Sequence, residues 1–429
     1  MKSLLFCTFA LGIFLKFVSG MAWAGGLIVY ENDSPTTGTA SAGWAALADD
    51  ASTSFTNPAG MTRLDRSQLL VGAQPMIITS EFNSGPYTRL AGGGGEGGNA
   101  GGVLPSLGGY YVHSLSDCFK LGIGSLSYFG AAIDYGDTWV GRYRVEKSTF
   151  LTAALSPSAA YRVNDWFSVG AMFNVVYGYL SNDVGINNLQ DSLSDGKLQY
   201  KDEDFGFGGG VGVLFEPTRS TRLGVTYYSP VDLTFTDTPS FENTGPILTR
   251  LLTQRSLIGS ELELDFTIPQ WIMMSLYQQV NDKLAFVANF GWQDWSEFGD
   301  VDISLTVDPV NPGSLTANLK MQDTYHFALG GQYRIAQPWL LSLGFAYDTS
   351  PLSDANRSAS LPLDRNIRYA AGIQYDWNKN LTLGLAYEYI DLGSANLAQL
   401  GLPAVRGTLQ GDYDPNNINV VNLNLVYRF

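Results

Sequence analysis

The sequence predicts an all-β protein, a transmembrane antiparallel β-barrel of about fourteen strands whose lumen is plugged by an N-terminal α-helical hatch. Three observations predict it. The first is the last stretch, where Val421, Leu423, Leu425, Tyr427 and Phe429 alternate with Asn422, Asn424, Val426 and Arg428 up to the terminus. Period-two alternation gives a strand one apolar and one polar face. A soluble sandwich edge would put the apolar face on a core, whereas an outer-membrane barrel puts it on lipid. The final Tyr427-x-Phe429 resembles the C-terminal signature read by the barrel assembly machinery. The second observation is the N-terminus: Lys2, an apolar run from Leu4 to Val18 and the small-x-small site Ala22-Trp23-Ala24 read as a cleaved secretory leader over residues 1–24. The third is that no later apolar run reaches the roughly 18 residues a membrane helix needs, while 48 Gly, 23 Tyr, 23 Phe and 9 Trp are spread along the chain.

Strands centred near Ala73, Gly109, Gly124, Leu155, Met172, Gly210, Val225, Trp271, Ala288, Phe327, Leu343, Ala370, Leu385 and Leu423 follow from alternation bounded by Gly, Pro, Asn and Asp clusters. Short turns fall at Ser114–Asp117, Arg162–Asp165, Glu216–Ser220, Val280–Lys283, Arg334–Pro338 and Asp376–Asn380. Between them lie seven long connections, near 82–104, 130–146, 182–203, 237–258, 298–313, 351–364 and 392–417. Strict alternation of short and long connections is the pattern of periplasmic turns and outward loops. Most Tyr and Trp sit toward strand ends, where rings favour the membrane boundary.

Residues 25–66 precede the first strand and are too apolar for a disordered tail; they form the expected hatch, and 67–429 the barrel. Ser41 to Asp50 reads as a short helix with small residues on most faces, able to pack closely in a tube. Asp49 and Asp50 at its C-terminal end oppose the helix dipole, so either wall cations and turn amides hold them or they form a solvated end.

A formal net charge of −15 argues against nucleic acid as a partner. Cys118 is the only cysteine beyond the leader, so no internal disulfide is available and the thiol reads as a small apolar strand residue. Only His113 and His326 could serve as an imidazole base or metal ligand, and both lie inside predicted strands. Neither an enzyme, a metal site nor a cofactor is expected. The glycine-rich tract Ala91–Gly102 lacks the Lys-Ser/Thr ending of a phosphate loop and reads as a mobile outer loop.

Two outer connections carry apolar residues at near-helical spacing: Ile186, Leu189 and Leu193 in one, and Ile247, Leu248, Leu251, Leu252 and Ile258 in the other. Two amphipathic loop helices would form a greasy landing groove, or would pack their apolar faces together only to order the loops. Arg142 and Arg365 would attract a carboxylate head group, or would pair with loop acids such as Asp137 and Asp364.

Ala48-Asp49-Asp50-Ala51 followed by Asn57-Pro58-Ala59-Gly60-Met61 resembles the hatch of the FadL family (OmpP1/FadL/TodX-like), outer-membrane transporters for long-chain fatty acids and aromatic hydrocarbons. The resemblance continues through Gly109-Tyr110-Tyr111-Val112, Gly122-Ile123-Gly124, Phe129-Gly130, the Tyr135–Tyr143 stretch, Ser156–Arg162, Trp292–Ser296, Tyr347-Asp348 and Leu361–Arg365. It implies a fourteen-stranded barrel with a hatch, and a role for Asn57, Pro58 and Ala59 in a second binding site and gating. It also implies sideways release of ligand at a kink in the third strand. The proline that usually precedes that Phe-Gly is replaced by Tyr128, so the kink is expected from Gly122, Gly124 or Gly130 around Phe129.

The function implied is passive uptake of a hydrophobic compound at the outer membrane of a Gram-negative bacterium, by a monomer embedded in lipid and lipopolysaccharide. A general diffusion porin is the alternative, though it would need no plug. Fatty acids need a long channel with a carboxylate partner, whereas aromatic hydrocarbons need only apolar volume.

Overall fold

Fourteen antiparallel strands follow one another around a closed ring: β1 Gln68–Ser84, β2 Val103–Ser114, β3 Phe119–Asp134, β4 Lys147–Asn164, β5 Phe167–Ile186, β6 Gly196–Thr218, β7 Thr221–Tyr228, β8 Trp271–Gln279, β9 Leu284–Gln293, β10 Thr324–Ala336, β11 Trp339–Asp348, β12 Asn366–Asp376, β13 Leu381–Asp391 and β14 Leu409–Arg428. The ring closes where β1 pairs with β14, from Gln68 opposite Arg428 to Ser84 opposite Gly411. Closure leaves no sheet edge, as a strand protein in lipid requires. The computed structural model describes residues 30–429 except 91, 190–191, 256, 299, 302–315, 318–319 and 402–405. The leader at 1–24, the start of the hatch and most of the connection near 298–313 lie outside the described residues.

Each expected strand centre falls in one of these strands, and short connections alternate with long ones around the ring. Polarity is inside out. Asn422 and Asn424 are buried while Leu423 and Phe429 are 55% and 60% exposed, and Leu329, Leu343, Phe207 and Phe286 also point outward. An outward apolar belt of this extent is suited to hydrocarbon, not water.

Inside the ring lies the hatch. Its regular pieces are two 3₁₀ turns, Pro35–Thr39 and Pro58–Arg63, and a four-residue helix, Thr53–Thr56. The helix expected over Ser41–Asp50 does not form. Ala40, Ser41, Gly43 and Ala48 all have positive φ, which breaks a right-handed helix. The backbone amides bond to the wall instead: Gly43 N and Trp44 N donate to Asn289 Oδ1 at 2.8 and 3.2 Å, and Ala45 N to Ser275 Oγ at 2.9 Å. Small side chains here serve contact with strands rather than a helix. Wall and hatch touch backbone to backbone. A Cβ on Gly72, Gly224 or Gly344 would overlap the hatch chain at Asp33, Ala45 or Thr39.

Asp49 and Asp50 are held as two separate groups. Asp49 pairs with Arg222 of β7 at 3.3 Å, and buried Asp50 accepts from Ser52 N and Ser52 Oγ at 2.9 and 2.6 Å.

Between β7 and β8 the long connection folds into a hairpin, Val231–Asp237 against Leu262–Ile268, with a helix Pro246–Gln254 between its arms. Val231, Leu233 and Phe235 of the hairpin are buried beside the inward glycines 178, 206 and 208 of β5 and β6, so it lines the wall from within.

Candidate functional site: an apolar column and a window in the wall

Aromatic side chains from hatch and wall meet in the lumen. The Tyr228 and Trp271 rings stack at 3.7 Å, Trp44 lies 5.8 Å from Trp271, and Phe55 lies 5.5 Å from Tyr228 and 6.0 Å from Tyr128. Trp44 Nε1 donates to Tyr228 Oη at 2.8 Å, and that hydroxyl donates to the Thr56 carbonyl at 2.9 Å, whereas Trp271 Nε1 and Tyr128 Oη are buried without a hydrogen-bond partner. Above this group Phe129 and Phe150 sit 4.9 Å apart, Phe150 is 4.9 Å from Phe266, and Phe298 is 5.7 Å from Phe129. Leu248 and Leu252 of the outer helix belong to the same buried cluster. An apolar column therefore runs from the outer loops down to the hatch.

At the height of the lower aromatic group the wall is interrupted. β2 and β3 pair only from Gly109 opposite Ser125 to Ser114 opposite Lys120, although β2 begins at Val103 and β3 continues to Asp134. The upper boundary is the bond from Asp134 N to the Ala100 carbonyl, 2.9 Å. Between these limits no ladder joins the two strands, and the one described side-chain bond across the gap joins Ser106 Oγ and Ser127 Oγ at 3.2 Å.

The cause lies in β3. Its register with β4 slips between Ser127 and Phe129, a bulge stabilised by Phe129 N donating to Thr152 Oγ1 at 2.8 Å and Thr152 Oγ1 donating to the Phe129 carbonyl at 3.1 Å. From Tyr128 to Ile133 every residue is buried, so this half of the strand is covered on both faces. The kink is thus at Tyr128, not at a glycine. Gly122 is required elsewhere, because a Cβ there would lie 2.7 Å from Ser54 Cβ of the hatch. Gly124 lies under the Tyr110 ring at 3.0 Å, and Gly130 has only an ordinary contact to Leu151. The signal was readable: Tyr128-Phe129-Gly130-Ala131-Ala132-Ile133 is an unbroken apolar run, which departs from alternation where the strand leaves the lipid face.

The loop residues divide. Only one amphipathic helix forms, with Leu248 and Leu252 buried and Ile247 and Leu251 exposed. Among the described residues of 182–203 no second helix forms, because β5 extends through Ile186 and β6 starts at Gly196. Ile186 is a buried strand residue, while Leu189, at positive φ, and Leu193 and Ile258 are exposed. Spacing of three and four residues fits a strand end followed by a loop as well as it fits a helix.

Asn57 is fully buried in extended backbone at φ −159 rather than in an unusual conformation. Its Nδ2 donates to the Ala45 carbonyl at 2.7 Å and the Val213 carbonyl at 3.0 Å, and its Oδ1 accepts from Ala59 N at 3.1 Å. One side chain thereby ties two turns of the hatch to β6. Pro58 and Ala59 lie against Gly170, where a Cβ would fall 2.5 Å from Ala59 N.

Both arginines have protein partners, although Nη1 of Arg365 has none. Arg142 Nε donates to Asp195 at 2.7 Å and Nη1 to the Gly93 carbonyl at 2.6 Å; its partner is Asp195 and not Asp137. Arg365 pairs with Asp391 at 3.1 Å, while Asp364 pairs with Arg357 at 3.4 Å. A more deeply buried cation escaped the sequence reading. Arg368 of β12 donates to Glu31 of the hatch at 3.0 Å and to Asp348, with Glu388 at 3.7 Å, while His326 Nδ1 bonds Asp348 at 2.8 Å. Arg368 stands two residues into a strand, and nothing in its spacing separates it from a rim residue.

Asp33 couples hatch to window. Its Oδ2 accepts from Ser106 Oγ at 2.8 Å, Oδ1 has no partner, and burial pushes the carboxyl up to about 8 against the opposing serine bond. A raised carboxyl favours the neutral form in the fold. Hatch docking is therefore strongest below the ordinary value of 3.8 and weakens as pH rises toward about 8. The slope is at most about 1.4 kcal/mol per pH unit for the single proton. Thermal unfolding between pH 4 and 8 should show stability falling with pH, and Asp33→Asn should flatten that part of the curve; an unchanged curve would contradict the assignment.

Beneath the hatch a cavity of about 640 Å³ is lined by the charged Asp49, Asp50, Arg334, Asp376, Lys379 and Arg428, by polar side chains, and by the apolar Pro35, Leu47, Pro338, Leu340 and Val426. Six charged groups make this cavity a poorer setting for an apolar solute than the column, which the unpaired stretch of β2 and β3 adjoins.

The pattern that defines the family described as "Outer membrane protein transport protein (OMPP1/FadL/TodX)" matches residues 15–429. The chain belongs to the OMPP1/FadL/TodX family. It is an outer-membrane transport channel of a Gram-negative bacterium and not an enzyme. Family relatives include the long-chain fatty acid transport protein of Escherichia coli O6:H1, 27% identical over 421 residues that cover 90% of this chain and 91% of that protein. Outer membrane protein P1 of Haemophilus influenzae (strain Rd) is 27% identical over 415 residues, 87% of each chain. The fold matches the crystal structure of a Pseudomonas aeruginosa FadL homologue with a TM-score of 0.84 at 21% identity, covering 94% of this chain and all of that one. The Ralstonia pickettii toluene transporter TbuX matches with a TM-score of 0.62 at 18% identity, covering 94% and 100%.

Proposed function

We propose that this channel takes up hydrophobic compounds of the fatty-acid or aromatic-hydrocarbon class by passive diffusion and releases them sideways into the membrane. The observation that carries this reading is the unpaired stretch of β2 and β3 at the foot of a continuous apolar column. The names of the relatives point the same way, one transporting long-chain fatty acids and another toluene. Exposed Leu189, Leu193, Ile247, Leu251 and Ile258 offer the outer landing site. The solute then passes the Phe150–Phe266–Phe298 rings to the level of Phe55 and leaves beside Tyr128. Asn57, Pro58 and Ala59 hold the hatch against the wall at the base of this path. Bonded to Asp195 and the Gly93 carbonyl, Arg142 orders the loops rather than binding a head group, whereas Arg365 keeps Nη1 without a protein partner.

The working form is a monomer with its leader removed after Ala24, folded by the barrel assembly machinery and surrounded by lipid and lipopolysaccharide. Support comes from the closed ring, the outward apolar belt and the terminal Tyr427-x-Phe429.

Uptake of radiolabelled oleate and toluene by cells lacking their own transporter tests the reading. The channel should accelerate at least one of them. Asn57→Ala, which frees the Ala45 and Val213 carbonyls and removes the cap on Ala59, should lower that rate by about tenfold, the effect of losing roughly 1.4 kcal/mol. No gain for either compound together with increased leakage of small sugars would instead make the protein a diffusion porin.

A further inference from the structure

Besides Tyr128 Oη and Trp271 Nε1, the apolar column holds a patch of wall whose polar side chains face one another and are unsatisfied. Asn174 of β5 is fully buried, and neither its Nδ2 nor its Oδ1 has a hydrogen-bond partner. Ser156 of β4, also fully buried, has no partner for Oγ. The two face one another: Leu155 pairs with Val175 and Ser158 with Met172, which sets Ser156 opposite Asn174 on the inward side. Along the same row Gly124 pairs with Ser156 and Asn174 with Gly208, so glycines flank both polar residues. Ser54 of the hatch, also buried with an unpartnered Oγ, lies one row lower against Gly122. The neighbouring Leu126, Ala154 and Val176 above and Met172 below are apolar or nearly so, and no inward residue of β3 to β6 at these levels is charged.

Leaving an amide and two hydroxyls unbonded in an apolar interior is costly, so such groups are retained where something bonds to them. An amide offers two donors and an acceptor, and a serine hydroxyl does either. That set suits a neutral group that both donates and accepts. It does not suit a carboxylate, which would be desolvated there with no cation beside it. Its height matters as well: the β2–β3 ladder stops at Gly109 and Ser125, level with this row, so a solute anchored here has its apolar body beside the window.

We propose that Asn174 and Ser156, with Ser54 of the hatch, form a neutral hydrogen-bonding subsite that selects hydrophobic compounds ending in a hydroxyl group. This rests on the reading above that the channel takes up hydrophobic compounds, and narrows it toward those with a neutral hydroxyl end over ionised fatty acids and plain hydrocarbons. The test is initial uptake of radiolabelled 1-dodecanol and dodecane, each below saturation, by cells expressing the full chain or its variants. The wild-type channel should favour dodecanol. Asn174→Leu, close in volume, should lower dodecanol uptake by roughly tenfold to a hundredfold and leave dodecane unchanged, as expected when a site built for a hydroxyl loses its partner. Dodecanol uptake by Asn174→Leu equal to wild type would overturn the subsite while leaving the uptake reading intact. A wild-type channel that moves neither compound would overturn the subsite, and oleate and toluene uptake by the same cells then decides the uptake reading separately. Should Asn174→Leu fail to reach the membrane, Ser156→Ala must show the same selective loss, about threefold for one weaker bond, and equal rates for both compounds would overturn the proposal.

Discussion

Arg368→Ala is expected to loosen the hatch by about 3–5 kcal/mol, because it removes the only described cation bonded to Glu31, Asp348 and Glu388 and leaves buried carboxylates facing one another. Glu31 belongs to the hatch and the other two to the wall, so the loss falls on the joint between them. The guanidinium also lies 5.3 Å from the Tyr30 ring, and Tyr30 in turn contacts Trp44 at 5.7 Å and His326 at 4.4 Å. Displacement would therefore spread into the lower aromatic group. Single-channel recording in planar bilayers should show a small wild-type conductance and a much larger, fluctuating one for the variant. Arg368→Lys should fall between them, since an ammonium keeps the charge but cannot reach two carboxylates as a fork does. Indistinguishable conductances for all three proteins would show that the ion cluster does not hold the hatch.

How much of this was legible beforehand depends on which interaction fixed each segment. Strands were legible because each has one face on lipid and one on the lumen, and that difference is written at period two, as in Leu381, Leu383, Leu385, Tyr387 and Tyr389 of β13. Segments whose two faces see the same surroundings were not. The upper half of β3 is buried on both sides and loses its alternation, so its glycines drew attention that belonged to Tyr128. The run from Ser41 to Asp50 is rich in alanine and favours a helix locally, yet its backbone was fixed by Asn289 and Ser275, more than two hundred residues away. Such long-range partners leave no local mark. Asn174 and Ser156 were hidden for a different reason: a polar residue on an inward position reads as ordinary lumen lining until the structure shows that nothing bonds to it.

Charged residues were legible as residues and not as partners. The pairing of Arg142 with Asp195 and of Arg365 with Asp391 joins different connections, and proximity in sequence pointed to Asp137 and Asp364 instead. Family resemblance pointed to Asn57 as part of a gate, whereas the side chain fastens two turns of the hatch to the wall, made possible by the bare backbone of Gly212 beside it.

The window between β2 and β3 is the centre of the account, and closing it is the most direct test. Ser106 Oγ and Ser127 Oγ are 3.2 Å apart across the gap, so the two side chains point toward one another, as a crosslink between cysteines at these positions needs. In a Cys118→Ser background, which removes the exposed native thiol, Ser106→Cys with Ser127→Cys would tie the strands together just above the last paired residues. Initial uptake of the transported hydrophobic compound should fall by about tenfold or more on oxidation, a barrier increase of at least roughly 1.4 kcal/mol, and recover on reduction. Equal uptake by the oxidised and reduced forms, with the crosslink verified, would contradict lateral release and send the solute past the hatch instead.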